Sequence, residues 1–176
     1  KSITLREHVL EQMYILKIDG IEKQLIMFLI DNLDENGYLT ESIDEIFKYI
    51  PQDSNINVIQ LAESLETLKH LDPLGLGSKD LSECLKIQLE EMPAKTPLID
   101  EAVTLVENHL DKLATKDFNS LKKVLDCSND EIRQIQKIIT DLNPRPSSFF
   151  GGNDINYIIP DVIVKKHKNE WIVTLN

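Results

Sequence analysis

Apolar residues return at helical spacing from Leu5 to Leu142, and the pattern stops at Asn143. That break constrains the fold more than any other feature: helix packing for four-fifths of the chain, and something else after it. Leu5, Val9, Met13 and Leu16 share one face, with Ser2 placed to cap it. Asp19 and Glu22 have the spacing of a capping box for the next helix. That helix carries Ile21, Leu25, Phe28, Leu29 and Leu33 on one side. Ile26, Met27 and Ile30 widen the stripe almost all round, which predicts a central, buried helix. A short helix is predicted over 43–49, ahead of Pro51, and Val58, Leu61, Leu65 and Leu68 form the following stripe.

Pro73 and two glycines then break the chain, and helix resumes at Ser78 or Asp80. Asp80 with Glu83 is the better capping pair. The resumed helix buries Leu81, Cys84, Leu85 and Leu89. Pro93 and Pro97 punctuate "MPAKTP", the predicted subdomain boundary. Beyond it, Ala102, Val106, Leu110 and Leu113 lie in one register, and a short helix covers 119–125. The last helix is capped by Ser128 with Glu131, runs to Leu142, and points Ile132, Ile135, Ile139 and Leu142 inward. In "NPRPSSFFGG" the prolines and glycines forbid helix. "YIIPDVIV" and "EWIVTL" read as strands joined by "KKHKN", with Pro160 confining the first to an edge or an irregular start. A lone two-stranded ribbon is marginal, so it must pack on the helices or belong to a larger structure. The expected fold is therefore mainly α: helical-bundle subdomains over residues 1–92 and 97–142, then an extended, β-hairpin-like segment over 143–176.

"NLDENGYLTESI", residues 32–43, has the length and central glycine of a calcium-binding loop. Such a loop needs ligand oxygens at positions one, three and five and a bidentate glutamate at twelve. Here those positions hold Asn32, Asp34, Asn36 and Ile43, and Glu41 and Glu45 are out of register. Isoleucine donates no oxygen. The stretch reads instead as a turn at Asn36-Gly37. Tyr38 and Leu39 then return to the core, and Ser42 with Glu45 caps the next helix.

The net charge of −11, with a pI near 4.8, argues against a free-standing nucleic-acid binder and against an anionic membrane surface. It suits a basic protein partner. Cys84 and Cys127 have neither disulfide-framework nor zinc spacing, and Cys84 falls on an apolar helix face as a small buried hydrophobe. No apolar run reaches transmembrane length and no signal peptide is visible, so a reducing cytoplasm is expected. The chain begins at lysine, which fits a piece of something longer. His8, His70, His109 and His167 lack metal-ligand spacing. "GLGSKD" fails both phosphate-loop templates: Asp80 stands where the dinucleotide fingerprint needs glycine, and no strand precedes it. There is no nucleophile elbow. The residues alone thus predict no catalytic, cofactor-binding or metal-ligating group. They leave a helical binding module: an adaptor for some protein partner, or, less compatibly with its charge, a helix-turn-helix around 119–142. The latter's recognition helix would carry only Arg133 and Lys137 as cations against three acids.

"LDPLGLGSKDLSECLKIQL" resembles the signature of the sigma-54 family of bacterial RNA polymerase sigma factors. "TLREHVLEQ" and "IDNLDENGYLT" resemble the family segments that precede it. "ENHLDKLATKDFNSLKKVL", "ITDLNPRPSSFF" and "YIIPDVIVKKHKNEWIVTLN" resemble those that follow, in the same order. The resemblance covers the family's core-binding domain. The glutamine-rich region that meets the activator ATPase, and the helix-turn-helix and basic box that read the −24 element, lie outside it. Two positions depart from the family pattern. Gly75-Leu76-Gly77-Ser78-Lys79 replaces glycine-valine-glycine-alanine-arginine, and Lys79 cannot reproduce a bidentate arginine. Ser147 stands where glycine follows the second proline of Asn-Pro-x-Pro, which implies a turn without positive φ.

The resemblance implies a domain that docks on core RNA polymerase within a factor directing it to −24/−12 promoters. The full-length factor would also meet promoter DNA and an activator ATPase, which alone hydrolyses ATP. The fragment itself is expected not to be an enzyme, not to bind DNA tightly and not to meet a membrane. By the same resemblance, Asp72, Pro73, Gly75, Gly77, Lys79 and Asp80, with Asn143, Pro144 and Pro146, form corners between helices or contact the partner. Tyr49, Phe149, Phe150 and Trp171 are the aromatic candidates for an interface.

Overall fold

The computed structural model describes residues 2–150 in full and, beyond them, the backbone of two strands, Val162–His167 and Glu170–Leu175. The fold is mainly helical. The helices with described bounds are α1 Leu5–Ile15, α2 Gly20–Ile30, α3 Ile43–Phe47, α4 Val58–Lys69, α5 Leu81–Glu90, α6 Ile99–Asn108, α7 Leu110–Ala114, α8 Phe118–Leu125 and α9 Asn129–Thr140. Residues 148–150 are helical as well, against the expectation for "NPRPSSFFGG", because they follow both prolines and precede both glycines. A single 3-10 turn, Gln52–Ser54, separates α3 from α4. The two strands pair antiparallel, with Val162 opposite Leu175 and His167 opposite Glu170. How the carboxy-terminal segment meets the helices, and the side chain of Trp171, lie outside the described residues. Among those residues no helix is long and apolar enough to cross a membrane.

Two apolar clusters build the core. The first joins Val9 and Met13 of α1, Leu25, Ile26 and Leu29 of α2, Ile46 of α3, Leu61, Leu65 and Leu68 of α4, and the loop residue Leu76. α2 is its centre, because its wide stripe meets both α1 and α4, though Ile21 at its entrance stays exposed. The second joins Leu85 and Leu89 of α5, Ala102, Leu105 and Val106 of α6, Leu121 of α8, and Ile132, Ile135 and Ile139 of α9. The α5 helix therefore packs with α6 across the Pro93–Pro97 linker rather than with the helices before it.

Several helix ends differ from expectation for local reasons. α1 is capped by Thr4, not Ser2: Thr4 Oγ1 accepts from the Glu7 N–H at 3.1 Å, and Glu7 returns a bond to the Thr4 N–H at 2.9 Å. Thr4 alone has an acid three residues on, which completes the box. Asp19 occupies the cap of α2 without a side-chain bond. Its expected partner, Glu22, instead accepts from Thr67 Oγ1 of α4 at 2.9 Å, so a tertiary bond displaces the local one. The helix after the linker is interrupted at His109, whose φ of −135° leaves the helical region. Leu110 and Leu113 reach the second cluster from a separate turn. α8 begins at Phe118 because Asp117 caps it, accepting from the Ser120 N–H at 3.2 Å. Ser128 with Glu131 forms the full box expected for α9.

Candidate functional site

Three loops from distant parts of the chain meet at one point. The turn 34–38 closes on itself: Asp34 Oδ1 accepts from the N–H groups of Asn36 at 2.8 Å and Tyr38 at 3.0 Å. The Asn32 side-chain amide donates to the Phe28 carbonyl at 2.8 Å. One Asp34 oxygen is thus committed to backbone, and the twelfth position, Ile43, which offers no side-chain oxygen, opens α3. Among the described residues no group of three or more His, Cys, Asp or Glu could hold a metal ion.

Gly37 is the contact point. Its φ is +96°, and a β-carbon there would stand 3.1 Å from Pro146 Cγ, 3.2 Å from Leu76 Cδ2 and 3.2 Å from the Ser147 nitrogen. Only glycine accepts that backbone and lets both other loops approach. Hydrogen bonds complete the junction. The Gly37 carbonyl accepts from the Gly77 N–H at 2.8 Å, and the Ser78 carbonyl from the Leu39 N–H at 3.0 Å. The Asn36 carbonyl accepts from the Ser147 N–H at 3.3 Å. Ser147 Oγ donates to the Glu35 carbonyl at 2.7 Å, and the Tyr38 hydroxyl donates to the Pro144 carbonyl. Ser147 is buried and its φ is not positive. A serine stands here because its hydroxyl satisfies a carbonyl of the neighbouring loop.

Two glutamines hold the outer loops. Gln12 of α1 donates to the Asp72 carbonyl at 2.5 Å and accepts from the Asp72 N–H at 2.8 Å. Gln88 of α5 does the same for Asn143, donating to its carbonyl at 2.6 Å and accepting from its N–H at 2.8 Å. Each side-chain amide imitates a β-ladder partner for a residue that precedes proline. Cys84 lies between the loops with its thiol 3.7 Å from the Asn143 carbonyl, buried against Gly75, whose φ is +91°. Burial raises the Cys84 thiol pKa, with hydrogen bonds from Gln88 and Tyr38 opposing it. The Tyr38 phenol is pushed up to about 12, first by burial and then by Cys84 and the acids Asp34 and Asp80.

The predicted corner residues divide between this junction and its surroundings. Gly75, Gly77 and Pro146 are buried in it, Pro73 is half-buried, and Asp72, Asn143 and Pro144 are exposed at its edge. Lys79 and Asp80 face elsewhere. They line a groove of about 820 Å³ between α4, α5 and α6, together with Glu41, Glu83 and Glu107. Lys69 forms part of that groove and is 8% exposed, bonded to Glu66 at 2.9 Å and Glu83 at 2.5 Å. Burial works against its charge, but the two carboxylates outweigh it and raise its pKa. Lys79 contributes its backbone N–H to Glu83 at 3.0 Å. Of the aromatic candidates, Phe149 is 83% exposed. Phe150 is half-buried, and Tyr49 is half-buried with its hydroxyl on Glu41 at 2.6 and 2.8 Å.

Sequence reasoning treats Asn36-Gly37 as a local turn and does not single out Gln12 or Gln88. The available signal is that "IDNLDENGYLT", "LDPLGLGSKD" and "NPRPSS" belong to one ordered series. The family model described as "Sigma-54 factor, core binding domain" matches residues 1–176, all three loops included. The chain belongs to the sigma-54 factor family. This core-binding domain is 37% identical over 172 residues to the RNA polymerase sigma-54 factor of Shewanella violacea, covering 98% of the chain and 35% of that protein. The RNA polymerase sigma-54 factor of Pseudomonas aeruginosa is 34% identical over 173 residues, with 98% and 35% covered. That of Escherichia coli K12 is 33% identical over 173 residues, with 98% and 36% covered. The domain therefore spans about a third of the length of these curated relatives.

Proposed function

We propose that this chain binds core RNA polymerase, as part of a sigma factor that directs the enzyme to −24/−12 promoters from within the cytoplasm. The observation that carries this reading is the match of the whole chain, end to end, to the sigma-54 core-binding domain. The role is binding, not catalysis; promoter DNA and an activator ATPase are met by other parts of the factor. Two separate apolar clusters support two helical subdomains. Leu85 and Leu89 in the second cluster support placing α5 with the carboxy-terminal subdomain, so the division falls near residues 77–80 rather than at the proline linker. The junction of three loops joins the two, and we assign to it the task of fixing their mutual geometry for the polymerase.

Charge supports the choice of partner. Residues 1–80 hold seven of the nineteen lysines and arginines but fifteen of the thirty acids. The first subdomain is thus strongly acidic and suits a basic protein surface. DNA is disfavoured at α9 for a local reason. Arg133 and Lys137 are each placed beside an acid of their own helix, Asp130 at 3.8 Å and Asp141 at 3.2 Å. The test is retention of the tagged chain on immobilised core polymerase. Retention at micromolar concentration and moderate salt is expected; none under those conditions refutes the reading. A mobility shift of promoter DNA by the chain alone would speak for the nucleic-acid alternative.

A further inference from the structure

An open cavity of about 580 Å³ lies on the outer side of the loop junction. Pro73, Pro146, Phe149 and Phe150 line it, with Ile3 from the chain entering α1. Phe149 and Phe150 meet edge to face with ring centroids 5.5 Å apart, and the His8 ring lies 5.1 Å from Phe150. Phe149 is 83% exposed and Ile3 52% exposed, so the rim presents an aromatic ring and a branched aliphatic side chain to water. Apolar surface of this kind, gathered around a concave site, marks an interaction site more often than chance exposure.

The cavity is also held in shape. Its two polar backbone corners, Asp72 and Asn143, are the residues gripped by Gln12 and Gln88. These corners, Asp72 and Asn143, stand 71 positions apart, and each is fixed through both its N–H and its carbonyl. Such preorganisation lowers the ordering entropy lost on association. Among the described residues, Asp72 is the only carboxylate that lines the cavity, and no lysine or arginine lines it. Its side chain is 78% exposed, with one oxygen 2.8 Å from His8 Nε2. The first subdomain behind it is acidic, with fifteen acids to seven lysines and arginines over residues 1–80.

We propose that this cavity is the docking socket for a segment of core polymerase that carries an apolar or aromatic anchor flanked by lysine or arginine. The anchor enters between the prolines and the Phe149–Phe150 pair, and the flanking cation meets Asp72. This rests on the polymerase-binding reading given under Proposed function. The test uses the 176-residue chain, with affinity for core polymerase measured over a range of salt. Phe149→Ala is expected to raise Kd roughly tenfold, as truncation of an interface aromatic does. Asp72→Asn is expected to raise Kd about threefold and to flatten its salt dependence. Thermal midpoints within a few degrees of wild type would show that both variants fold; if Phe149→Ala does not fold, Asp72→Asn decides alone. Wild-type binding that both variants reproduce overturns the socket and leaves the polymerase reading intact. Failure of the wild type to bind refutes both. Loss of affinity for single-stranded DNA but not for polymerase in Phe149→Ala would assign the ring to a nucleic acid and likewise overturn the proposal.

Discussion

Gly75→Ala, made alone and together with Cys84→Ala, tests whether close packing at the loop junction requires glycine. Gly75 has a φ of +91°, and an ideal β-carbon would lie 2.7 Å from Cys84 Sγ, 3.4 Å from the Cys84 carbonyl oxygen and 3.5 Å from its Cα. Two costs arise in Gly75→Ala. The backbone conformation costs about 1–3 kcal/mol for a residue with a side chain. Overpacking against a buried sulfur costs about 1–3 kcal/mol more. The sum is a large share of the 5–15 kcal/mol or so that holds a typical domain folded. Cys84→Ala alone removes one buried heavy atom and costs on the order of 1 kcal/mol. In the double variant the sulfur is gone and the new methyl occupies its space, so the overpacking cost vanishes while the backbone cost stays. The double variant should therefore be about 1–3 kcal/mol more stable than the sum of the singles predicts. Urea unfolding followed by helical circular dichroism measures this, with the m-value checked for constancy. Additivity within about 0.5 kcal/mol would show that the sulfur yields freely, and that the glycine is required by its backbone angle alone.

Three further outcomes follow from the same geometry. Gln88→Leu keeps the volume but leaves the Asn143 N–H and carbonyl without their partner, and should cost about 1–3 kcal/mol per group kept from water; a urea midpoint equal to wild type would deny the pincer its role. The Tyr38 phenol has an unfolded pKa of about 10 and a folded value near 12, so the unfolded chain releases this proton first as pH rises. The stability that Tyr38 contributes is therefore fully present below pH 10 and is lost between about 10 and 12, in the same direction as the contribution of Lys69, whose pKa is also raised. Tyr38→Phe should make that alkaline decline shallower, and an unchanged slope in urea midpoint against pH would refute the assignment. Millimolar calcium should leave the thermal midpoint where it is, because Asp34 Oδ1 already accepts two backbone bonds and Ile43 offers no oxygen at the twelfth position; a rise in midpoint would reopen the loop 32–43 as a cation site.

Local patterns are legible in the sequence. The apolar stripes of α2, α4, α5 and α9 each show which face is buried, since a helix can hide only one face and its period is set by backbone geometry. Ile21 and Leu81, in the first turns of α2 and α5, were expected inside but are exposed, because the helix start projects past the core. Ser128 with Glu131 is a contact within one turn, readable from spacing, and the ordered motifs carry the family resemblance on their own. What spacing could not show were bonds between segments far apart. Glu22 left its local cap for Thr67, forty-five residues on. Gln12 reached Asp72 across sixty residues, and Gln88 reached Asn143 across fifty-five. A polar side chain has many chemically equivalent partners in the sequence, and only the folded backbone decides which one it meets. So the chain's own letters determined a mainly helical domain with glycine and proline corners. Tertiary structure decided that three of those corners touch at Gly37, that α5 joins the second core, and that Phe149 faces solvent beside a shaped cavity. Burial of helix stripes is a short-range consequence of periodicity, whereas the convergence of loops depends on how every intervening helix packs.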